Sequence, residues 1–376
     1  MVKDDLTPYY DTSFNFLRWI QGYNGNLKEA ARKLRIHLKM RKSHWELDNF
    51  VEKPRTHAIH KHWTYGITGK SNVLENVIVN IDQSGNVDYH GMLQVYSVQE
   101  VMKARVKDME DMLAQCMKLE EETGKQAWIL YVMDLTGLKF DKNLYNLVTG
   151  AMRSLSEFMA EHYVELIKYF VLVNVPSFVF YLWTMVKPVL PDRTRQKVRI
   201  LSSSNWRDEI LDFASYEALP TKWNTEKFDQ FHANLDIPIP FPETEYYCNR
   251  TVELPIGIEK SKIATGKTLF LSKELKAGDA LQWWISGDAE FGLGVFYSKN
   301  RDENNTENMQ TIYPCLEWMP GPTIAPLNDQ IVAKTDGFYR IWISNSRAWW
   351  HTLTILSKLT IIPGEGNDCA STSSIE

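Results

Sequence analysis

The 376-residue chain has only four cysteines, Cys116, Cys248, Cys315 and Cys369, and they are too far apart to form a Cys-x-x-Cys pair. That excludes a disulfide framework and a zinc knuckle, and the four read as reduced thiols. It also has no surplus of positive charge. With 42 Lys and Arg against 47 Asp and Glu, the net charge is −5, which gives no overall field to draw in nucleic acid. The first residues, MVKDDLTPYYDTSF, contain no apolar segment, so no signal peptide is expected and the expected compartment is cytoplasmic. Asn249-Arg250-Thr251 and Asn304-Asn305-Thr306 are then unused sequons. One uncharged stretch, Tyr169 to Val186, is interrupted by Asn174, Pro176 and Ser177; this fits a buried strand, a turn and a short apolar helix better than a membrane span.

Catalytic signatures are missing as well. There is no Gly-x-Ser-x-Gly elbow and no His-Glu-x-x-His. Gly66-Ile-Thr-Gly69-Lys70-Ser71 has Thr64 where a phosphate-binding loop needs its first glycine, and Gly266-Lys267-Thr268 has Ser261 there, so both are expected to be turns. No enzyme is expected, nor any cofactor. His57, His60 and His62 cluster near His44 without a local carboxylate or cysteine to complete a metal site, and are expected to form a solvated helix end. Asp82 in Asp82-Gln-Ser-Gly85-Asn86 is expected to cap its own backbone amides.

Apolar residues are plentiful: 44% of the chain, 12% of it aromatic, with 13 Trp. Asn26 to Glu29 opens an amphipathic helix through Leu38, and Ser97 to Glu100 opens a longer one that ends at Gly124. Ala127 to Met133 reads as a strand apolar on both faces. A third helical pattern runs from Leu144 to Met159, followed by strands at Tyr169 to Val175 and Val198 to Leu201. Helices alternating with doubly apolar strands imply a parallel sheet covered by helices. The prolines of Ile237 to Pro242 mark a boundary. Beyond it the period is two, through Leu281, Trp283, Ile285, Phe291 to Tyr297, Tyr339 to Ile343 and Leu353 to Ile361, which gives an antiparallel sandwich. Expected segments are a helical lead at 1–60, an α/β domain at 61–240, a β-sandwich at 246–365 and a disordered tail at 366–376. Phe178 to Val186 is apolar around nearly its whole circumference, as either an ordinary covering helix or a mobile lid.

Three sets of motifs carry a resemblance. Asp11 to Lys42 looks like a helical lead. His162-Tyr-Val-Glu165, Asn174-Val-Pro176, Lys187-Pro188, Thr194 and Lys197 follow in the order found in the CRAL-TRIO, or yeast phosphatidylinositol-transfer-like, lipid-binding domain. Leu281-Gln-Trp-Trp, Phe291 to Phe296 and Asp336 to Asn345 resemble a GOLD domain, and the pairing resembles the supernatant protein factor and tocopherol-associated protein group. The resemblance implies an α/β CRAL-TRIO lipid-binding fold with an N-terminal helical lead, followed by an all-β GOLD sandwich. Its implied function is lipid transport: a carrier that takes one phospholipid, tocopherol or isoprenoid-like molecule into a cavity under a gate helix and exchanges it at membranes. The alternative is a lipid-sensing adaptor in intracellular trafficking, with trafficking proteins as partners of the GOLD domain.

Shielding a 16-carbon chain from water takes on the order of 13 kcal/mol at about 0.8 per methylene, so a carrier needs a long dry cavity. Ile129, Tyr131, Phe170 and Leu172 are the expected floor and Met152 and Met159 an adaptable wall, although core packing explains the methionines equally well. Phe178, Leu182, Trp183 and Met185 are the expected gate. Tyr23, Glu165, Thr194 and Lys197 are the head-group candidates by resemblance; a plain Glu165–Lys197 salt bridge fixing the gate is the competing reading. The sequence departs from the inositol-lipid pattern at Gln21 to Asn24, which has no arginine, at Lys139 and Phe140 in place of small hydroxyl residues, and at Leu219 to Thr225, which lacks a Gly-Gly pair. Trp349 and Trp350 either pack inward or form a contact surface.

Overall fold

The computed structural model describes residues 2–188, 192–250 and 254–364. Two helices lead, α1 (Ser13–Gly22) and α2 (Leu27–Arg41), and Asn26 caps α2 by accepting from the Glu29 amide at 3.2 Å. The apolar stripe Ala30, Leu34 and Leu38 is buried. Arg41, also buried, ends the helix on Glu110 at 2.9 Å and Asp48 at 2.7 Å, since a desolvated guanidinium must be paired.

The sheet runs in sequence order, β1 (Ile67–Lys70), β2 (Val77–Asp82), β3 (Trp128–Asp134), β4 (Ile167–Val173) and β5 (Val198–Ile200). Strands β2 to β5 are parallel, and β1 lies antiparallel on β2. The Gly66–Ser71 stretch, expected to be a turn, is therefore mostly an edge strand. Its connection to β2 is too short for the crossover that a parallel neighbour requires.

Between the strands lie α3 (Tyr89–Val95), α4 (Val98–Thr123), α5 (Lys142–Thr149), α6 (Ala151–His162), α7 (Ser177–Val186) and α8 (Asp192–Arg195), with α9 (Trp206–Glu209) after β5. Helix α4 has the expected limits, with a complete Ser97/Glu100 capping box and Gly124 left-handed at φ +67°. The single helix expected over Leu144 to Met159 is two, broken where Gly150 takes φ −108°, ψ −102°; a Cβ there would sit 2.8 Å from the Asn146 carbonyl oxygen. Strand β4 begins and ends two residues earlier than expected, because Asn174 turns the chain at φ +51°.

One face of the sheet is closed. Val79, Leu130, Val132, Val171 and Val173 pack on Leu201, Trp206, Ile210, Trp223 and Phe231. The other face lies under α4 and α6.

The all-β region comprises β6 (Glu259–Ile263), β7 (Thr268–Leu275), β8 (Ala280–Gly287), β9 (Phe291–Ser298), β10 (Gln310–Met319), β11 (Leu327–Val332), β12 (Gly337–Ser344) and β13 (Leu353–Ile362). These form two antiparallel sheets, β10-β9-β12-β7 and β11-β8-β13-β6. Period-two alternation buries Leu281, Trp283, Ile285, Leu293, Ile341 and Ile355 between them. The sandwich packs against the helical part: the His44 amide donates to the Ile312 carbonyl at 2.7 Å, Ser154 Oγ donates to the Trp318 carbonyl at 2.6 Å, and Trp45 meets Tyr313 edge-on. The Pro-rich connector is also packed, with Phe241 buried against Trp63 and Val95. Cys116, Cys248 and Cys315 are unbridged. The expected tail, residues 366–376, and Cys369 lie outside the described residues.

Candidate functional site

Strand β4 is covered unequally on its two sides. Val171 and Val173 are fully buried on the closed face, whereas Phe170 and Leu172, pointing the other way, are only half-buried. So are Met133 on β3 and Val198 and Ile200 on β5. Half-buried apolar side chains also occur on α6 (Met152, Leu155, Met159) and α7 (Phe178, Leu182, Trp183); Leu155 and Met159 pack against the same core cluster as Phe170, and Phe178 against the same one as Leu172 and Ile200. This partly exposed apolar face of β4 and β5, beside α6 and α7, is the candidate slot; Leu172, Phe178 and Ile200 pack there against Leu135, Val175 and Val179. Helix α7 turns Phe180 and Tyr181 outward, 46% and 64% exposed. The Met185 side chain lies outside the described residues.

Ile129 and Tyr131 sit deeper than the slot. Ile129 is fully buried, and the Tyr131 ring lies 5.6 Å from Phe170 with its hydroxyl between Asp82 and Arg105. Asp82 thus accepts from Tyr131 rather than capping its own turn, because β2 extends through it and aims its side chain inward.

The start of α7 is tied to a buried hub at Asp134. This carboxylate accepts from Asn174 Nδ2 at 2.9 Å, Trp223 Nε1 at 2.9 Å and Thr136 Oγ1 at 2.6 Å, and pairs with Lys222 at 2.7 Å. Burial alone raises its pKa, but Lys222 and the donors outweigh that and hold it below the usual carboxylate value. Lys222 and Trp223 come from the stretch where the resemblance lacks its Gly-Gly. They were missed because nothing in the local sequence pairs them with Asp134.

At the other end of the slot, Lys197 Nζ donates to Glu165 at 2.7 Å and to the Ile167 carbonyl at 2.9 Å, with both side chains about four-fifths buried. The Thr194 carbonyl accepts from the Lys197 amide at 3.0 Å. Tyr23 stacks on Trp19, and the Arg193 guanidinium lies 5.7 Å from the Tyr23 ring centre. Arg193 donates to the carbonyls of Gly22 at 2.8 Å and Ala160 at 3.0 Å, and pairs with no carboxylate among the described residues. A Cβ at Gly22 would lie 2.1 Å from Val164 Cγ1, so glycine is what lets α1 come this close to Glu165 and Arg193. Tyr23, Glu165, Thr194 and Lys197 are thereby gathered at one corner, and Arg193 brings the cation that Gln21 to Asn24 lacks. The cue in the sequence was the repeated cations of Arg193-Thr-Arg-Gln-Lys197.

A cavity of about 510 Å³ lies elsewhere, between α3, α5 and the loop joining β10 to β11, lined by Leu93, Tyr96, Asn146, Leu147, Trp318 and Ile324 among others. None of the residues named from the sequence lines it. Of the clustered histidines, His57 is exposed and caps the 3-10 turn Ala58–Lys61, but His60 and His62 are drawn inward: His62 stacks on Phe241 at 3.6 Å, and burial pushes the His60 pKa down to about 3. No group of His, Cys, Asp and Glu among the described residues could hold a metal ion. No described helix is long and apolar enough to cross a membrane.

The mostly parallel sheet and its crossover helices define an α/β layered class. Residues 74–224 match the CRAL/TRIO domain, and residues 253–369 match the F28H7_8_C:-like, C-terminal domain. The α/β region is thus similar to the CRAL/TRIO domain, and an all-β region of antiparallel sheets follows it. Among curated proteins it is similar to CRAL-TRIO domain-containing protein F28H7.8 of Caenorhabditis elegans, 26% identical over 93% of this chain and 85% of that protein. CRAL-TRIO domain-containing protein T23G5.2 of the same organism is 23% identical over 50% of this chain and 26% of its own length. Among solved structures, Sfh5 is 16% identical with a TM-score of 0.46, covering 58% of this chain and 76% of that one.

Proposed function

We propose that the protein is a lipid carrier. It holds the hydrocarbon of one phospholipid, tocopherol or isoprenoid-like molecule in the slot between β4, β5, α6 and α7, and exchanges it at membranes as α7 moves. The observation that carries this reading is the unequal cover of β4. A sheet that seals one face with Val171 and Val173 leaves Phe170 and Leu172 partly wet on the other, beside two helices with half-buried apolar side chains of their own. Apolar area of this kind gains about 25 cal/mol per Å² when covered, so a hydrocarbon chain lying along it is favoured. The match to a CRAL/TRIO domain supports the same reading, since such domains typically bind lipids.

The corner of Tyr23, Glu165, Arg193, Thr194 and Lys197 takes the head group. It supplies two cations, two hydroxyls and a carboxylate, the chemistry of a phosphoinositol rather than of a neutral head. The β-sandwich acts as a GOLD-type module of the supernatant protein factor kind, and the protein works as a peripheral membrane protein, not an enzyme. The test is transfer of a fluorescent phospholipid between vesicles. Leu182→Glu with Trp183→Glu is expected to slow transfer at least tenfold with the circular dichroism spectrum unchanged. Unaltered transfer rejects α7 as the gate.

A further inference from the structure

The loop joining β12 to β13 presents Trp349 and Trp350 side by side, each 87% exposed, contrary to inward packing. We infer that this loop is a membrane anchor: the two indoles enter the interface of an anionic bilayer and dock the protein with its slot facing the lipid. The inference rests on the carrier reading for what docking achieves, but on its own observations for the anchor.

The first observation is rigidity. Asn345 Nδ2 donates to the carbonyls of Ile263 at 2.9 Å and His351 at 3.0 Å, Thr265 Oγ1 donates to the His351 carbonyl at 3.0 Å, and Ala348 is buried beneath the tip. The indoles are thus held outward by a loop already ordered, and little entropy remains to be lost on insertion.

The second is position. Arg347 pairs with Glu157 of α6 at 2.8 Å, and both Arg347 and Arg153 lie over the Trp318 ring, at 5.8 and 5.5 Å. The loop is clasped to the helix that forms one wall of the slot. Phe140, 57% exposed, meets Phe178 at the start of α7 with ring centres 5.5 Å apart, and α7 itself exposes Phe180 and Tyr181.

The third is charge. Residues 345–352 contain no carboxylate, and the neighbouring strand β6 and the turn after it bring exposed Lys262, opposite Thr354, and Lys267, neither of which pairs with a carboxylate among the described residues. Indoles flanked by unpaired lysines suit the head-group region of an anionic membrane.

The fourth is area. Two indoles offer about 300–500 Å², short of the roughly 800 Å² per partner that a stable protein interface buries, but ample for interfacial anchoring.

The experiment uses the full chain and sedimentation with vesicles of phosphatidylcholine and phosphatidylserine in equal parts. Trp349→Ala with Trp350→Ala is expected to weaken vesicle binding about tenfold or more. Its melting temperature and the lipid recovered from the purified protein should stay the same, because neither side chain is buried or in the slot. Lys262→Glu with Lys267→Glu should weaken binding to the anionic vesicles and leave binding to pure phosphatidylcholine nearly unchanged. Equal binding by wild type and the double alanine variant overturns the anchor, as does a Trp349- and Trp350-dependent protein complex with vesicle binding unaltered. Indole-dependent binding by a protein that never retains lipid supports the anchor and refutes the carrier reading instead.

Discussion

His162, at the end of α6, and His37, in α2, face each other with their Nδ1 atoms 3.2 Å apart, both buried among Tyr10, Trp19, Phe158 and Tyr163. One nitrogen donates and the other accepts, so the accepting ring must be unprotonated at Nδ1, and burial, which penalises an imidazolium on either ring, keeps both neutral. Burial is the main cause of the low His162 pKa, pushed down to about 4, with Lys33 lowering it further and Glu161 opposing. His37 is lowered too, by burial, then Arg41, then His162.

The folded value lies below the unfolded one, near 6.5, so His162 is neutral in both states above pH 6.5 and has no effect on stability there. As pH falls from 6.5 towards 4 the unfolded chain takes up the proton first, and stability is lost over that window, by about 2 kcal/mol at pH 5 for His162 alone. Asp108, whose pKa burial raises to about 6, works in the opposite direction, and His60 in the same direction over a wider window, from 6.5 down to about 3, so the wild-type slope alone is ambiguous. The difference between wild type and His162→Asn isolates the pair, because asparagine keeps a polar atom near the Nδ1 position and does not titrate. Urea unfolding at pH 8 and pH 5, followed by fluorescence, should show the variant losing about 2 kcal/mol less than wild type. Equal losses would refute the claim that this pair is held neutral.

Three further outcomes are expected. Asp134→Asn leaves Lys222 without its charge partner in a buried hub, and should cost about 2–3 kcal/mol in chemical denaturation and loosen the start of α7 to proteolysis; a change within 0.5 kcal/mol, about the size of a neutral surface change, would show that the hub does not hold α7. Gly150→Val puts a side chain 2.8 Å from the Asn146 carbonyl at a backbone conformation between α5 and α6, and should lower stability by at least about 1 kcal/mol in the same assay. Lys197→Met should reduce loading of phosphatidylinositol about tenfold while sparing a neutral isoprenoid, measured by competition for the purified protein; equal loss of both would make Lys197 a purely structural partner of Glu165.

Much of the fold was legible because its signals are local. Ser97 and Glu100 close a capping box within one turn, Gly124 ends the same helix, and period two marks four of the eight described strands of the sandwich, β8, β9, β12 and β13. The misreadings share a cause, since the deciding partner is distant in sequence. Gly150 sits inside an unbroken apolar periodicity, and only its neighbours show why the chain kinks there. Ile67–Lys70 reads as a turn until β2 offers it an edge. The gate and the corner of Glu165, Thr194 and Lys197 could be named from ordered motifs. Arg193, Lys222 and Trp223 could not, because each acts through a contact with a residue tens of positions away. For the same reason nothing in the composition distinguishes Trp349 and Trp350 from the tryptophans of the core.

The most direct measurement is mass spectrometry of an organic extract of the full-length protein, purified without detergent from its own source and from a recombinant host. The carrier account predicts close to one long-chain lipid per protein in both, displaced when Phe170 and Leu172 are replaced by aspartate. Protein that comes from both sources free of lipid, and takes up none from vesicles, would contradict it.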